Sequence, residues 1–223
     1  MCGRYSLGKT DRVDWHRFGV PPIPTLEPRW NISPGTDVLA VRHGSEDHET
    51  AWLRWGLIPS WAKDPSIGHK LANARAETAH VKPSFRSAFK ARRCLLPADG
   101  FYEWQVVPGR THKQPWRIEH AGGDALALGA LWEFWRDPEG LKIETCTILT
   151  VPVNRTLAHI HERLPLIVEP RAWARWLSPH TTVEAARELL RAAPDEALVA
   201  WKISEQVNVV AHDDPSLTEP VAG

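Results

Sequence analysis

Methionine is nearly absent from this 223-residue chain: Met1 is the only one. Tyrosine appears twice and cysteine three times, as Cys2, Cys94 and Cys146. An odd cysteine count without metal-ligand spacing argues against a disulfide framework in a reducing compartment, and at most one of the three is expected to do chemistry. Long apolar runs are missing too. The run at 125–132 falls well short of the roughly 20 residues that cross a bilayer, and no membrane partner is expected. The opening Met-Cys-Gly-Arg-Tyr-Ser lacks a basic segment followed by an apolar one, so it does not read as a secretory signal. The cytosol, or the nucleus of a nucleated cell, is the expected compartment. Net charge is absent as well, with 27 basic against 27 acidic residues. Whole-molecule electrostatics therefore gives no pull toward nucleic acid.

What is present is unevenly spread. Between Arg54 and Arg117 stand twelve Lys or Arg against four acids, which reads either as a patch able to neutralise several phosphates or as a solvated surface with its counter-charges elsewhere. Twelve tryptophans are many for this length; most are expected in the core or in helix packing. With 43% apolar residues the chain can bury one substantial core, and a single domain over 1–223 is expected.

Periodicity places the elements. A short helix is predicted over 11–18, followed by an extended stretch forced by Pro21, Pro22, Pro24 and Pro28. Strands are predicted at 38–43 and 50–57, and an amphipathic helix at 84–92. Further strands follow at 101–107, 115–120, 125–135 and 141–151, separated by Gly- and Pro-containing turns. Helices at 169–177 and 183–191, the second capped by Thr181 or Thr182, precede a last strand at 197–203. Clustered antiparallel strands with helices around them give an α+β class: a curved, partly closed sheet with flanking helices.

Candidate chemistry starts at the second residue. Aminopeptidases trim an initiator methionine before a small side chain, so Cys2 is expected to carry a free α-amine beside its thiol. The amine, with a pKa of about 7.7 to 8.0, and the thiol, at about 8.5, are both nucleophiles near neutral pH. An aldehyde can be taken by both, closing a five-membered thiazolidine; equally, the amine can act as base for the thiol, as in N-terminal nucleophile hydrolases. Asn73-Ala74-Arg75 puts an amide and a guanidinium two residues apart, on one side of an extended segment. Glu103 lies in an otherwise aromatic run, Gly100-Phe101-Tyr102-Glu103-Trp104, where desolvation would raise its pKa, unless it sits on the wet face. His161 and Arg163 precede an apolar strand, where both fit the mouth of a site or a structural role. A metal site built on His159, His161 and Glu162 lacks a further ligand cluster, and no metal or cofactor is expected.

Six ordered motifs make a larger pattern: Cys2-Gly3-Arg4, Arg29-Trp30-Asn31-Ile32-Ser33-Pro34-Gly35, Trp55-Gly56-Leu57-Ile58-Pro59-Ser60-Trp61, Asn73-Ala74-Arg75-Ala76-Glu77-Thr78, Pro97-Ala98-Asp99-Gly100-Phe101-Tyr102-Glu103-Trp104 and His161-Glu162-Arg163-Leu164-Pro165. Together they resemble the SOS-response-associated peptidase (SRAP) family of abasic-site processing proteins over nearly the whole chain. The resemblance implies a thiazolidine crosslink between Cys2 and the aldehyde of an abasic site in single-stranded DNA, autocatalytic removal of Met1, and lyase-type activity. It implies that Asn73 holds the opened sugar, Glu103 assists Schiff-base formation and proton transfer, and His161 acts as acid or base. Arg4, Arg75, Arg86, Thr150 and Arg163 would meet phosphates, and Trp61 would stack on or wedge beside a base. The expected partner is single-stranded DNA with abasic sites, bound by a monomer. The alternatives are a cysteine peptidase acting on protein and a non-catalytic single-strand binder.

Overall fold

The structure is a computed structural model that describes residues 2–23 and 25–221. Twelve strands and five short α-helices are found among them. Strands β1 (Arg4–Leu7), β2 (Arg29–Ile32), β3 (Asp37–His43), β4 (His48–Trp55), β5 (Asn73–Arg75) and β6 (Arg93–Ala98) fill the first half. β7 (Gly100–Gln105), β8 (Gln114–His120), β9 (Leu126–Arg136), β10 (Lys142–Pro152), β11 (Arg163–Pro165) and β12 (Leu198–Lys202) follow. The helices are α1 (Trp15–Phe18), α2 (Ala76–Ala79), α3 (Arg86–Ala91), α4 (Trp173–Leu177) and α5 (Val183–Arg187).

The strands form two sheets. In one, β10, β4, β3, β6 and β9 pair in turn and β9 returns to β10, so the cycle closes on itself. Closure removes the edges that an open sheet would expose. Register puts Ala40, Leu53, Cys94, Ala130 and Cys146 on one face, all fully buried; the other face is largely covered too, since Val41, Leu95, Leu131 and Thr147 are fully buried, while Trp52 reaches solvent. Cys94 and Cys146 are thus core groups, and burial pushes both thiols up. β10 is the hub. Its first part pairs with β9 and β4, and its last part with β5 and β11. The second sheet runs in the order β12, β8, β7, β1, β2, and the two share one apolar core.

Most predicted elements are present, with ends set by local chemistry. The 50–57 strand stops at Trp55, because Gly56 takes a positive φ of 132° and any Cβ there would lie 2.7 Å from the carbonyl oxygen of Gly68. The 11–18 helix is split. A 3-10 turn (Thr10–Arg12) comes first, then α1, whose amide at Arg17 is capped by Asp14. The 169–177 helix begins as a 3-10 turn at Pro170 before α4. Helix 183–191 ends at Arg187, capped at its start by Thr182. The basic run does not make one surface. Arg93 and Arg117 are buried, Arg92 pairs with Glu133 at 2.5 Å and Arg110 with Glu205 at 3.1 Å. No helix among the described residues is long and apolar enough to cross a membrane.

Candidate active site

Four sequence-predicted residues arrive from four different elements. Cys2 precedes β1, Asn73 opens β5, Glu103 lies in β7, and His161 stands just before β11. β1 pairs with β7 so that Arg4 faces Tyr102, which carries the start of the chain alongside Glu103. β5 and β11 both attach to the last part of β10, which brings Asn73 and His161 to the same region. The Asn73 Nδ2 donates to the Cys2 carbonyl at 2.8 Å. Its Oδ1 is buried and has no hydrogen-bond partner among the described residues, so it can accept from a ligand hydroxyl or an amine.

The Cys2 thiol is fully buried. Burial first, and the Glu103 carboxylate second, push it well above its ordinary value, so it is a protonated thiol at neutral pH. Glu103 is only 2% exposed, and burial raises its carboxyl from 4.5 to about 7. That is the range in which a carboxyl both gives and takes protons at neutral pH. His161 is shifted the other way. Burial lowers its pKa, its Nδ1 accepts from the Arg163 amide at 3.0 Å, and its Nε2 faces Glu103 Oε2 at 3.9 Å. The Arg163 carbonyl oxygen also lies 3.2 Å from Nδ1, so the backbone of Arg163 offers that nitrogen both a donor and an acceptor, and the ring proton has a partner on either nitrogen. None of the four lines the cavity of about 280 Å³ bounded by Phe18, Leu126, Ile167, Trp173 and Leu198.

The expected DNA contacts divide into two kinds. Arg75 and Arg86 are exposed, and Trp61 is 59% exposed with its indole N–H directed at the Pro83 carbonyl, 3.4 Å away. The others are already engaged. Arg4 donates to Asn31 and to the Val207 carbonyl, each at 2.7 Å. Thr150 is buried behind Arg163, which reaches its hydroxyl at 3.1 Å and also grips Glu77 through two bonds of 3.0 and 2.9 Å. Sequence reasoning gave no role to Glu77, although it stands inside the Asn73-Ala74-Arg75-Ala76-Glu77-Thr78 motif. It likewise passed over Asn208, whose side-chain oxygen accepts from the Trp104 indole at 2.7 Å, beside Glu103. The expected removal of Met1 concerns a residue outside the described ones.

A closed barrel beside a second sheet, with Cys2, Asn73 and His161 brought together around the buried carboxyl of Glu103, sets the class of protein to compare. The match is specific: residues 1–210 fit the SOS response associated peptidase (SRAP) family, and the chain belongs to it. It is 36% identical over 223 residues to the abasic site processing protein YoqW of Bacillus subtilis, covering 98% of this chain and 99% of that one. To the abasic site processing protein HMCES of Gallus gallus it is 30% identical over 251 residues, covering 98% of this chain and 72% of that one. A solved structure from Bordetella bronchiseptica superposes with a TM-score of 0.77 at 27% identity, covering 91% and 100% of the two chains. A second, from Bacteroides thetaiotaomicron, gives 0.83 at 23% identity over 99% and 100%, a likeness of fold.

Proposed function

We propose that the protein captures abasic sites in single-stranded DNA by forming a thiazolidine at Cys2 once Met1 has been removed. The observation that carries this reading is the meeting of Cys2, Asn73 and His161 around a carboxyl, Glu103, with a pKa raised to about 7 by burial. The raised thiol argues for the order of steps. The α-amine attacks first, since it is partly neutral near pH 7 whereas the thiol is not ionised.

The amine nitrogen adds to the C1 aldehyde carbon of the ring-opened sugar, one of its protons passes to the oxygen, and loss of water gives an iminium. Glu103, protonated near its pKa, supplies the proton that lets hydroxide leave as water. The Cys2 sulfur then bonds to the iminium carbon while its proton passes to the Glu103 carboxylate, which is thereby protonated again. The net change is aldehyde plus aminothiol to thiazolidine plus one water. Asn73 holds the chain-start residue through its carbonyl and offers Oδ1 to a sugar hydroxyl, and His161 exchanges a proton with that hydroxyl. Arg75 and Arg86, both exposed, meet the phosphates directly; Arg4 and Arg163 join them by exchanging their present partners, with Thr150 supporting Arg163 from behind, and Trp61 supplies an exposed stacking face. Glu103 also serves Met1 removal, reversal of the adduct and lyase-type strand chemistry. The protein would work as a monomer where DNA is found, in the cytoplasm of a bacterial cell or in a nucleus.

The test is incubation with a single-stranded oligonucleotide bearing one abasic site, followed by denaturing electrophoresis. A covalent band is expected, absent with Cys2→Ala and absent with intact DNA. No band with the lesion would overturn the reading, and peptide hydrolysis in its place would point to the protein-directed peptidase. Equal, salt-sensitive binding of lesion and intact strands without a covalent product would point to a plain single-strand binder.

A further inference from the structure

Asp99 joins the two sheets. It stands between the last residue of β6, in the barrel, and the first of β7, in the second sheet, and its own amide donates to the Ser6 carbonyl at 2.9 Å. Its carboxylate takes three of its four donors from β1 and the residues that follow that strand. It accepts from the Ser6 hydroxyl, from the Gly8 amide at 2.7 Å and from the Lys9 amide at 2.6 Å. The fourth donor is Arg117 from β8, at 2.6 Å, with both side chains entirely buried.

Arg117 extends the lock. Its second terminal nitrogen reaches the Ser6 hydroxyl at 2.6 Å, and its Nε reaches Glu119 at 3.1 Å. Glu119 in turn holds Lys9 at 3.1 Å and Arg12 at 3.2 Å. The guanidinium lies 4.9 Å from the centre of the Tyr102 ring, next in the chain to Glu103. Space for it is made by Gly100, where a Cβ would sit 2.6 Å from its Cζ. Burying so many polar groups is costly unless all are matched. A merely apolar contact between β1 and β7 would hold the strands together more cheaply but would leave register free to slip, and a slip of one residue moves β1 by about 3.3 Å and turns every side chain to the other face.

We propose that Asp99 and Arg117 are positioning residues for the Cys2 reaction: their buried pair pins Ser6, Gly8 and Lys9 and so fixes the register in which β1 delivers Cys2 to Glu103 and Asn73. This rests on the abasic-site reading above. Both side chains are fully buried and act through Ser6, Gly8 and Lys9. Alignment of this kind is a rate effect, since displacement by about 1 Å costs on the order of 100-fold in a positioned reaction.

The experiment is single-turnover crosslinking of lesion-bearing single strands by the wild-type protein and by Asp99→Asn, Arg117→Lys and Ser6→Ala, measured across strand concentration alongside thermal melts. For Asp99→Asn and Arg117→Lys the maximal rate is expected to fall by about 10-fold or more while the half-saturating concentration and the affinity for intact strand stay at wild-type values. Ser6→Ala, which removes one shared hydroxyl and no charge, should fold normally and move the maximal rate in the same direction by less; it decides the matter if the charged-pair variants fold poorly. Wild-type maximal rates in folded variants would overturn the positioning role, as would a loss confined to half-saturation or one that tracks only the folded fraction. Crosslinking by the wild type in that same series would leave the abasic-site reading standing, whereas no wild-type adduct would remove both.

Discussion

Replacing Glu103 by glutamine should make the protein more stable and less active, with the stability gain confined to one side of the pH scale. The carboxyl is 2% exposed, and burial raises it from 4.5 to about 7. The fold therefore prefers its neutral form. Stability from this group is fully present below pH 4.5 and is lost as pH rises through about 7, because the unfolded chain ionises first. The gap corresponds to a penalty of about 3 kcal/mol once the folded carboxyl is ionised, at about 1.4 kcal/mol per pH unit. Glutamine keeps the shape and never ionises. Urea unfolding at pH 8.5 should show Glu103→Gln ahead by a substantial part of that figure, and with slopes of about 1 to 3 kcal/mol per molar the midpoint should move up by about 1 M or more. At pH 4 the two midpoints should nearly coincide. Meanwhile crosslinking near pH 7 should slow by about 10² to 10⁴-fold, the range of a lost acid–base group. A stability difference equal at both pH values would refute the raised carboxyl, and an unchanged rate would take Glu103 out of the chemistry.

Retaining Met1 behind a blocked N-terminus should abolish the covalent band while leaving non-covalent strand binding intact, because the amine is then held in a peptide bond; intact-mass measurement of each sample checks it. Trp61→Ala should weaken single-strand affinity by about 1 to 3 kcal/mol with little change in melting temperature, since its ring is 59% exposed; fluorescence anisotropy reads the change. Glu77→Gln should tighten binding of single strands at low salt by a few-fold, because Arg163 loses a competing carboxylate at 2.9 Å, and the gain should vanish as salt rises. Asp99 works in the opposite sense to Glu103: burial alone would raise it, but Arg117 and the donors from Ser6 and Lys9 hold it below its ordinary 3.8. Its contribution is thus present above about pH 4 and lost as pH falls below that, so Asp99→Asn should flatten the acid limb of a stability profile measured by chemical denaturation.

The long strands and the reactive residues were legible in the sequence for different reasons. The 115–120, 125–135 and 141–151 strands appear almost where expected, as β8, β9 and β10, because turn-forming Gly and Pro residues bound them on both sides. β6 was not read. Arg93-Cys94-Leu95-Leu96-Pro97-Ala98 is buried at every position, so it lacks the alternation that marks a half-wet strand, and its arginine looked like part of a basic surface. In the structure Arg93 donates to the carbonyls of Trp176, at 2.7 Å, and Ser178. The short strands β1, β2, β5 and β11, of three or four residues, are held by pairing with distant partners, which no local pattern records.

The same distinction separates the site residues that could be read from those that could not. Cys2, Asn73, Glu103 and His161 are chemically marked, and motif order identified them before their elements were known. Asp99, Arg117 and Glu77 are marked only by partners far along the chain: Arg117 meets Ser6 across 111 positions, and Arg163 meets Glu77 across 86. A buried guanidinium and a phosphate-binding one are the same letter in a sequence, and only the identity of the nearest carboxylate separates them. Arg117, sealed between Asp99 and Glu119, is therefore unavailable to any strand, whereas on the proposed function Arg163, paired with an acid whose side chain is 46% exposed, would exchange that partner for a phosphate. That difference predicts where salt acts: raising ionic strength should weaken strand binding through Arg163 and Arg75 while leaving intact the lock at Arg117, and with it the maximal rate of crosslinking at saturating strand. A maximal rate that fell in step with affinity would place the two arginines in one role and refute the division.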